Sequence, residues 1–212
     1  MARSFDNLYI GGSWVPAGAA FDDMNPSDGS VWARVADGNS GMAIRAIESA
    51  QDAFAHWSGL HYNERAHYML KVADEFERRH DDLVAALQGE GGGWFGKGMF
   101  EAGYVPEVFR AAAAMTYNAI GEVLPSDHGK ISIAMRRPMG VVTVISPWNF
   151  PTLLTARGLA FPIATGNCVV LKPSEETPYT GGMIFAEIFE AAGMPAGVLN
   201  VVTCSRENVP AV

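Results

Sequence analysis

Residues 145 to 151, Ile-Ser-Pro-Trp-Asn-Phe-Pro, place a carboxamide between two prolines directly after a short apolar run. Because prolines restrict the backbone, the side-chain amide of Asn149 is presented in a fixed position. An amide held in this way can donate to a carbonyl oxygen that gains negative charge, and losing one such donor costs acyl-transfer enzymes about 3 kcal/mol of transition-state stabilisation. The alternative is that Asn149 only caps a helix that begins near Thr152.

A second polar cluster, at residues 172 to 178, follows the next apolar run. In a nucleotide-binding fold, a carboxylate just past a strand, here Glu175, can accept hydrogen bonds from both ribose hydroxyls. Lys172 supplies a donor to ribose or phosphate. The alternative is an exposed charged turn that leads into a helix started by Pro178, and the segment taken alone fits this turn better.

The glycine-rich stretch at residues 91 to 98 comes close to a phosphate-binding loop, which needs Gly, four residues, Gly-Lys and a hydroxyl residue. Gly91 and Lys97 satisfy the pattern, but Gly98 stands where the magnesium-binding hydroxyl is required. The stretch also follows a predicted helix rather than a strand, so its glycines are better explained as the end of that helix. An ATP-binding protein that uses Gly91 to Lys97 is therefore a remote alternative.

Two cysteines, Cys168 and Cys204, are too few for a disulfide framework or a four-thiolate zinc site. We interpret both as reduced, buried thiols rather than nucleophiles. The histidines, at positions 56, 61, 67, 80 and 128, include no HExxH pair or other metal spacing, so no metal is expected.

The composition of the 212 residues, 49% hydrophobic and 18% charged, is that of a globular protein. The formal charge of -8 contains no long single-sign run, which argues against a nucleic-acid or anionic-membrane surface and favours a small-molecule or protein partner. No signal-peptide pattern and no apolar run of about 18 residues is present, so we expect a cytoplasmic protein.

The apolar pattern changes twice along the chain. The first forty residues predict a small hairpin and turns. Apolar residues three or four apart then predict two amphipathic helices over residues 44 to 87, the second capped by Asn63, and a further helix from about Phe95 to Ile120 that Pro106 either kinks or restarts.

From Gly140 onward, short β-rich runs at residues 141 to 145, 168 to 171 and 198 to 202 alternate with helical segments at 152 to 164 and 180 to 192. Runs without polar alternation are typical of parallel strands buried on both faces. The pattern predicts an α/β fold with the first half of a doubly wound, Rossmann-like parallel sheet, whose ligands bind at the carboxyl ends of the strands. Residues 130 to 137 predict a strand outside that sheet.

The order and spacing of several segments closely resemble the aldehyde dehydrogenase superfamily. The similarity covers almost the whole chain, and it is carried by residues 11–15, 25–29, 53–57 with Glu64-Arg65, 141–151, 164–167, 170–178 and 193–202. The resemblance implies a reaction in which a cysteine thiolate attacks an aldehyde, NAD(P)+ takes a hydride and a glutamate-activated water releases the acid.

The resemblance also assigns roles to the two polar clusters. It implies that Asn149 helps to stabilise the oxyanion, while the remaining residues contact the cofactor. NAD is favoured over NADP because a carboxylate at position 175 repels a 2′-phosphate, although the adjoining lysine and serine leave NADP open. The implied cofactor residues are Ile145, Ser146, Pro147 and Trp148 at the nicotinamide end and Lys172, Ser174 and Glu175 at the adenosine end.

The resemblance implies a division into residues 1–139, with a hairpin, helices and a strand similar to an oligomerisation arm, and residues 140–212, the first half of the NAD-binding domain. The family's nucleophilic cysteine and general base lie downstream, so we expect a truncated portion with little or no dehydrogenase activity and an unpaired edge at its first strand. Completed, it would be a homo-oligomer; the alternative is a silent fragment that associates with full-length subunits. Residues 93–101 and 203–208 are similar to members that oxidise benzaldehyde and vanillin, which suggests an aromatic aldehyde.

Overall fold

The computed structural model describes residues 3–209. Residues 1, 2 and 210–212, which belong to the two predicted domains, lie outside the described residues, and the boundary between residues 139 and 140 stays a prediction. The strands are β1 Arg3–Phe5, β2 Asn7–Ile10, β3 Ser13–Pro16, β4 Ala20–Met24, β5 Val31–Ala36, β6 Gly121–Leu124, β7 Ser132–Met135, β8 Val141–Ile145, β9 Cys168–Lys172 and β10 Leu199–Val201. The helices are α1 Ser40–Gly59, α2 Tyr62–Arg78, α3 His80–Gly89, α4 Phe95–Met115, α5 Pro151–Ala164 and α6 Ile184–Ala191.

The central element is a five-stranded sheet with the strand order β3-β2-β10-β9-β8. Strands β8, β9 and β10 are parallel, and Val169 lies opposite both Val142 and Leu199. Helix α5 connects β8 to β9, and a π-helical turn at Tyr179–Met183 followed by α6 connects β9 to β10. The predicted α/β fold with parallel strands joined by helices is therefore confirmed.

The predicted N-terminal hairpin is β2-β3, and it extends the central sheet because β2 pairs antiparallel with β10. The buried side chain of Asn200 fastens it: the oxygen accepts from the N–H of Gly11 over 2.8 Å, and the amide donates to the carbonyl of Gly197 over 2.9 Å. Gly12 has a φ of 73°, and a Cβ there would lie 2.7 Å from that of Ala196. Both requirements explain why position 12 of the hairpin turn is glycine.

Three helices, not the two predicted, occupy residues 40 to 89. The break between α2 and α3 is at Arg79, whose guanidinium lies 2.6 Å from the carboxylate of Glu187 and 3.1 Å from the hydroxyl of Tyr179. The predicted cap at Asn63 is wrong, because α2 begins two residues earlier with His61 as its cap. The N–H of His61 donates to the side chain of Glu64 over 2.9 Å, which fixes this helix start.

Helix α4 ends at Met115 rather than near Ile120, and it continues through Pro106. The residues that follow form β6 and β7, an antiparallel two-stranded ribbon outside the central sheet. The strand predicted within residues 130 to 137 is therefore confirmed, whereas its partner β6 was not predicted.

The core lies between the central sheet and the helices, and β9 and β10 are buried within it. Strand β8 differs, because it forms the edge of the sheet in residues 3–209 and no strand lies beyond it. Its residues are partly exposed, and Ile145 reaches 74% exposure, so burial on both faces is wrong for this strand while the expected edge is confirmed. None of the helices in the described part of the chain is long and apolar enough to cross a membrane.

Candidate active site

Strands β8 and β9 end side by side, because Ile145 lies opposite Lys172 in their parallel register. The N–H of Ser146 donates to the carbonyl oxygen of Lys172 over 3.1 Å, so the pairing continues one residue into the loop. The two predicted polar clusters therefore begin at the same point of the carboxyl edge, where open α/β sheets bind ligands. We call residues 145–149 and 172–175 together the strand-end site.

The π-helical turn packs against the strand-end site through two glycines, Gly181 and Gly182. A Cβ on Gly182 would lie 2.5 Å from Cγ of Pro173, and a Cβ on Gly181 would lie 3.4 Å from that of Pro151. The hydroxyl of Thr155 in α5 also donates to the carbonyl of Gly181 over 2.9 Å. The turn thus holds both loops in close contact, and π-helical turns often occur at functional sites.

Asn149 is exposed, and its side chain makes no hydrogen bond within residues 3–209. The cap residue of α5 is Phe150, and it makes no side-chain cap hydrogen bond. Instead, the N–H groups of Thr152 and Leu153 both donate to Oε2 of Glu101, each over 3.1 Å. The alternative that Asn149 only caps this helix is therefore wrong, and its amide is available to a ligand.

The residues before Asn149 combine a buried hydroxyl with exposed apolar side chains. Ser146 is buried, and its Oγ has no hydrogen-bond partner among residues 3–209. Pro147 is exposed, as are Ile145 and Trp148, the latter by 63%. A buried polar atom without a partner costs free energy, so this loop fits a ligand that has both a flat apolar ring and polar groups.

At the end of β9, Glu175 lies between two cations. Lys172 Nζ is 3.8 Å from one carboxylate oxygen, and Arg206 Nε is 3.7 Å from the other. Both distances are too long for hydrogen bonds, so the carboxylate oxygens can still accept from a ligand. Ser174 differs, because its Oγ accepts from the N–H of Glu176 over 3.3 Å and thereby supports the turn.

The structure brings together two polar residues whose contact the sequence interpretation did not predict. Lys97 and Glu101 are one helical turn apart on α4, and Lys97 Nζ lies 2.7 Å from Oε1 of the fully buried Glu101. The only signal was their i, i+4 spacing, which is common on helices. The glycine-rich stretch around Lys97 runs from helix α3 to helix α4, so the strand-loop-helix context of a phosphate loop is not present and the ATP-binding alternative has no support.

Both cysteines are buried, as expected. Burial raises the pKa of the Cys168 thiol to about 11, and burial also raises the pKa of the Cys204 thiol. Because the thiolate is the nucleophilic form, neither cysteine is suited to attack a carbonyl.

Parallel strands joined by helices, with polar loops at one carboxyl edge, form the architecture in which open α/β sheets bind nucleotides. The sequence model described as "Aldehyde dehydrogenase family" matches residues 14–211. The chain belongs to the aldehyde dehydrogenase family, which confirms the resemblance seen in the sequence.

Individual relatives agree with this assignment. The vanillin dehydrogenase of Pseudomonas fluorescens is 40% identical over 210 residues, which cover 96% of this chain and 42% of the relative. The NAD(+) benzaldehyde dehydrogenase of Pseudomonas putida is 36% identical over 192 residues, which cover 90% of this chain and 39% of the relative. The chain therefore spans about two fifths of the length of these relatives.

The fold also matches a solved structure of the family. The crystal structure of an NAD-dependent benzaldehyde dehydrogenase from Corynebacterium glutamicum superimposes with a TM-score of 0.91 at 35% identity. The match covers 97% of this chain and 44% of that chain. The arrangement of strands and helices described above is therefore that of the corresponding part of an aldehyde dehydrogenase.

Proposed function

We propose that the strand-end site holds the cofactor and the reacting carbonyl of an aldehyde dehydrogenase, which oxidises an aldehyde to a carboxylic acid with NAD(P)+. The observation that carries the proposal is the free amide of Asn149, exposed at the carboxyl edge while Glu101 caps the following helix. Donation from this amide to the carbonyl oxygen stabilises the negative charge that forms there when a nucleophile attacks. Cys168 and Cys204 are not proposed as that nucleophile, because both are buried.

The residues of the strand-end site fit a nicotinamide cofactor. The unpartnered hydroxyl of Ser146 offers a hydrogen bond to a polar group, and the exposed faces of Ile145, Pro147 and Trp148 offer contact to a flat ring. When bound, NAD(P)+ accepts the hydride that leaves the substrate carbon. The role of this chain in the reaction is to bind the cofactor and to orient it next to Asn149.

The adenosine end is assigned to Lys172 and Glu175. The carboxylate of Glu175 can accept from both ribose hydroxyls, and it repels a 2′-phosphate, which favours NAD over NADP. Lys172 and Arg206 lie within 4 Å of this carboxylate and reduce the repulsion, so NADP is the weaker second cofactor. Ser174 contributes less directly, since its hydroxyl is engaged in the turn.

We assign an aromatic aldehyde as the substrate. The chain neighbours of Asn149 are aromatic, Trp148 and Phe150. The Phe150 ring meets that of Phe100 edge-on at 6.5 Å, and Phe100 stacks on Tyr104 at 5.7 Å. Trp148 adds a further exposed ring beside the amide. Rings in these arrangements attract an aromatic ligand, which agrees with the vanillin and benzaldehyde dehydrogenases among the relatives.

The partner proposed for the β6-β7 ribbon is another subunit of the family, in a homo-oligomer. The ribbon exposes large apolar side chains, including Val123 and Ile133, at 75% and 57%. Exposed apolar patches of this kind mark protein interfaces. Co-purification with a full-length subunit tests the alternative that the chain is a silent fragment that associates with such subunits.

The cytoplasmic location expected from the sequence stays a prediction.

Calorimetric titration of the purified chain with NAD+, NADP+ and Mg-ATP tests the cofactor assignment. We expect NAD+ to bind most tightly and NADP+ to bind more weakly. Mg-ATP should not compete with NAD+ for its site. Glu175→Gln should reduce the preference for NAD+ over NADP+ at least about tenfold, because a hydrogen bond to a charged group contributes about 1.5 kcal/mol or more. Glu107→Gln, at an exposed carboxylate on α4, is the matched control and should leave the preference unchanged.

The result that would overturn the proposal is a chain that is folded by circular dichroism but binds neither NAD+ nor NADP+. Binding of Mg-ATP that Lys97→Met abolishes would instead support the phosphate-loop alternative.

A further inference from the structure

We propose that Glu101 and Lys97 are positioning residues that hold the loop carrying Asn149 in its donating orientation. The role of Asn149 rests on the proposed function, whereas the contacts that fix its loop do not. The glycine-rich stretch at residues 91 to 98 thus has a role other than phosphate binding. It leads into helix α4, whose Lys97 and Glu101 lie at the start of helix α5.

Glu101 uses each of its two oxygens for a different partner. Oε2 accepts from the N–H groups of Thr152 and Leu153, and Oε1 lies 2.7 Å from the ammonium group of Lys97. The side chain is fully buried, so among residues 3–209 it is these contacts that balance its negative charge. A carboxylate at a helix N-terminus is stabilised by both the free N–H groups and the helix dipole, and its hydrogen bonds are charge-assisted.

Lys97 makes a second contact, with the residue that follows Asn149. Its ammonium group lies 4.7 Å from the centre of the Phe150 ring, a cation-π distance, and Phe100 meets the same ring edge-on. Phe150 is also the cap residue of α5. The α4 side chains therefore fix the chain immediately after Asn149, while the Ser146 hydrogen bond to strand β9 fixes it three residues before.

The contacts of Glu101 are separate from those that dock α5. The hydroxyl of Thr152 donates to the carbonyl of Thr180 over 2.8 Å, and the hydroxyl of Thr155 donates to that of Gly181 over 2.9 Å. These bonds tie α5 to the π-helical turn without Glu101. We therefore infer that loss of the Glu101 charge loosens the first turn of α5 and the Asn149 loop, while the helix stays in place.

Proton–nitrogen NMR of the 212-residue chain tests this inference. Trp148 precedes Asn149, and its exposed indole N–H is a probe of the loop that Trp148→Phe assigns. In Glu101→Gln, we expect the Trp148 indole resonance to shift or broaden. Hydrogen exchange of the Thr152 and Leu153 amides should accelerate about fivefold to tenfold, as the loss of a helix cap predicts.

Two variants at Lys97 separate positioning from a loss of stability. Lys97→Met should change the Trp148 resonance in the same direction as Glu101→Gln, whereas Lys97→Arg keeps the charge and should restore the wild-type resonance. If Glu101→Gln does not fold, Lys97→Met decides the question, because the Lys97 side chain is partly exposed and its loss leaves the core intact.

The matched control is Glu107→Gln. Glu107 lies on the same helix as Glu101, but it is exposed and pairs with Arg110 rather than with the start of α5. Its loss should leave the Trp148 resonance unchanged. An unaltered Trp148 resonance in folded Glu101→Gln, or an equal change in Glu107→Gln, would overturn the inference. None of these signals requires cofactor, so failure of NAD+ to bind would count against the proposed function alone.

Discussion

Glu101 and Glu90 perform the same task at two helix starts, in opposite electrostatic surroundings. Each is buried and accepts from two consecutive backbone N–H groups, at residues 152–153 and 179–180 respectively. Glu101 has the ammonium group of Lys97 as its counterion. Glu90 instead faces a second carboxyl group, that of Asp23, which is also buried.

The absence of a lysine partner for Glu90 among the described residues is accompanied by raised pKa values of Glu90 and Asp23. Burial raises the pKa of Glu90 to about 7, although its hydrogen bonds from Thr180 and Tyr179 act in the opposite direction. Burial, followed by the charge of Glu90, raises the pKa of Asp23 to about 9. One capping carboxylate is thus balanced by a lysine, and the other is balanced by a proton on its neighbour.

The largest expected effect comes from removing the lysine-balanced carboxylate. Glu101→Ala leaves Lys97 without its partner and two amides of α5 without an acceptor, so the free energy of unfolding should fall by about 3 kcal/mol. Urea unfolding followed by circular dichroism measures this loss. Glu107→Ala, on the same helix but at an exposed ion pair with Arg110, should cost about 0.5 kcal/mol or less. Equal losses in the two variants would contradict the comparison.

The proton-balanced pair predicts a pH dependence of stability with a definite sign. The folded-state pKa values of Asp23 and Glu90, about 9 and about 7, lie above their ordinary values near 4. Between about pH 4 and about pH 9, the folded chain therefore binds more protons than the unfolded chain. Stability is therefore greatest near about pH 5 and falls towards about pH 9, by about 2 kcal/mol after allowance for relaxation of the site. Urea midpoints measured across this range check the slope.

Asp23→Asn is the variant that sharpens the pH prediction. It removes the group with the most raised pKa and the like charge next to Glu90, so the loss of stability between about pH 5 and about pH 9 should shrink to less than half. Asp22→Asn, at the neighbouring exposed carboxylate, should leave the slope as it is in the wild type. A slope unchanged by Asp23→Asn would place its origin elsewhere in the chain.

Both capping sites also show the limit of sequence-based prediction. Strands β8 to β10, helix α5 and the hairpin were predictable, because apolar periodicity, prolines and glycines act over a few residues. Glu101 caps amides that are 51 and 52 residues further along the chain, and no local pattern encodes such a pairing. The side-chain amide of Asn149 could be located from the sequence, whereas the residues that leave it free could not.

Similar long-range contacts explain the errors in the fold. The break at Arg79 depends on Glu187 and Tyr179, about a hundred residues away, and the docking of the hairpin depends on Asn200. The partial exposure of β8 follows from its position at the edge of the sheet, which a run of apolar residues does not reveal. Local signals thus predicted the elements, and tertiary contacts decided their ends and neighbours.

The smallest expected effect tests whether the lysine is what distinguishes the two capping sites. Lys97→Met keeps the length of the side chain and removes its charge, so the buried Glu101 loses its counterion but retains its two amide donors. Because the Lys97 side chain is 22% exposed and water screens part of its charge, the loss of stability near neutral pH should be only about 1 kcal/mol.

Urea unfolding curves at neutral pH measure this loss. A buried carboxylate without its counterion is less stable than a paired one, so the urea midpoint of Lys97→Met should lie below that of the wild type. Lys130→Met, at an exposed lysine that lies 3.7 Å from Asp127, is the control and should follow the wild-type curve. If Lys97→Met also followed that curve, the two amides alone would suffice to balance Glu101, and the contrast with Glu90 would lie in Asp23 rather than in Lys97.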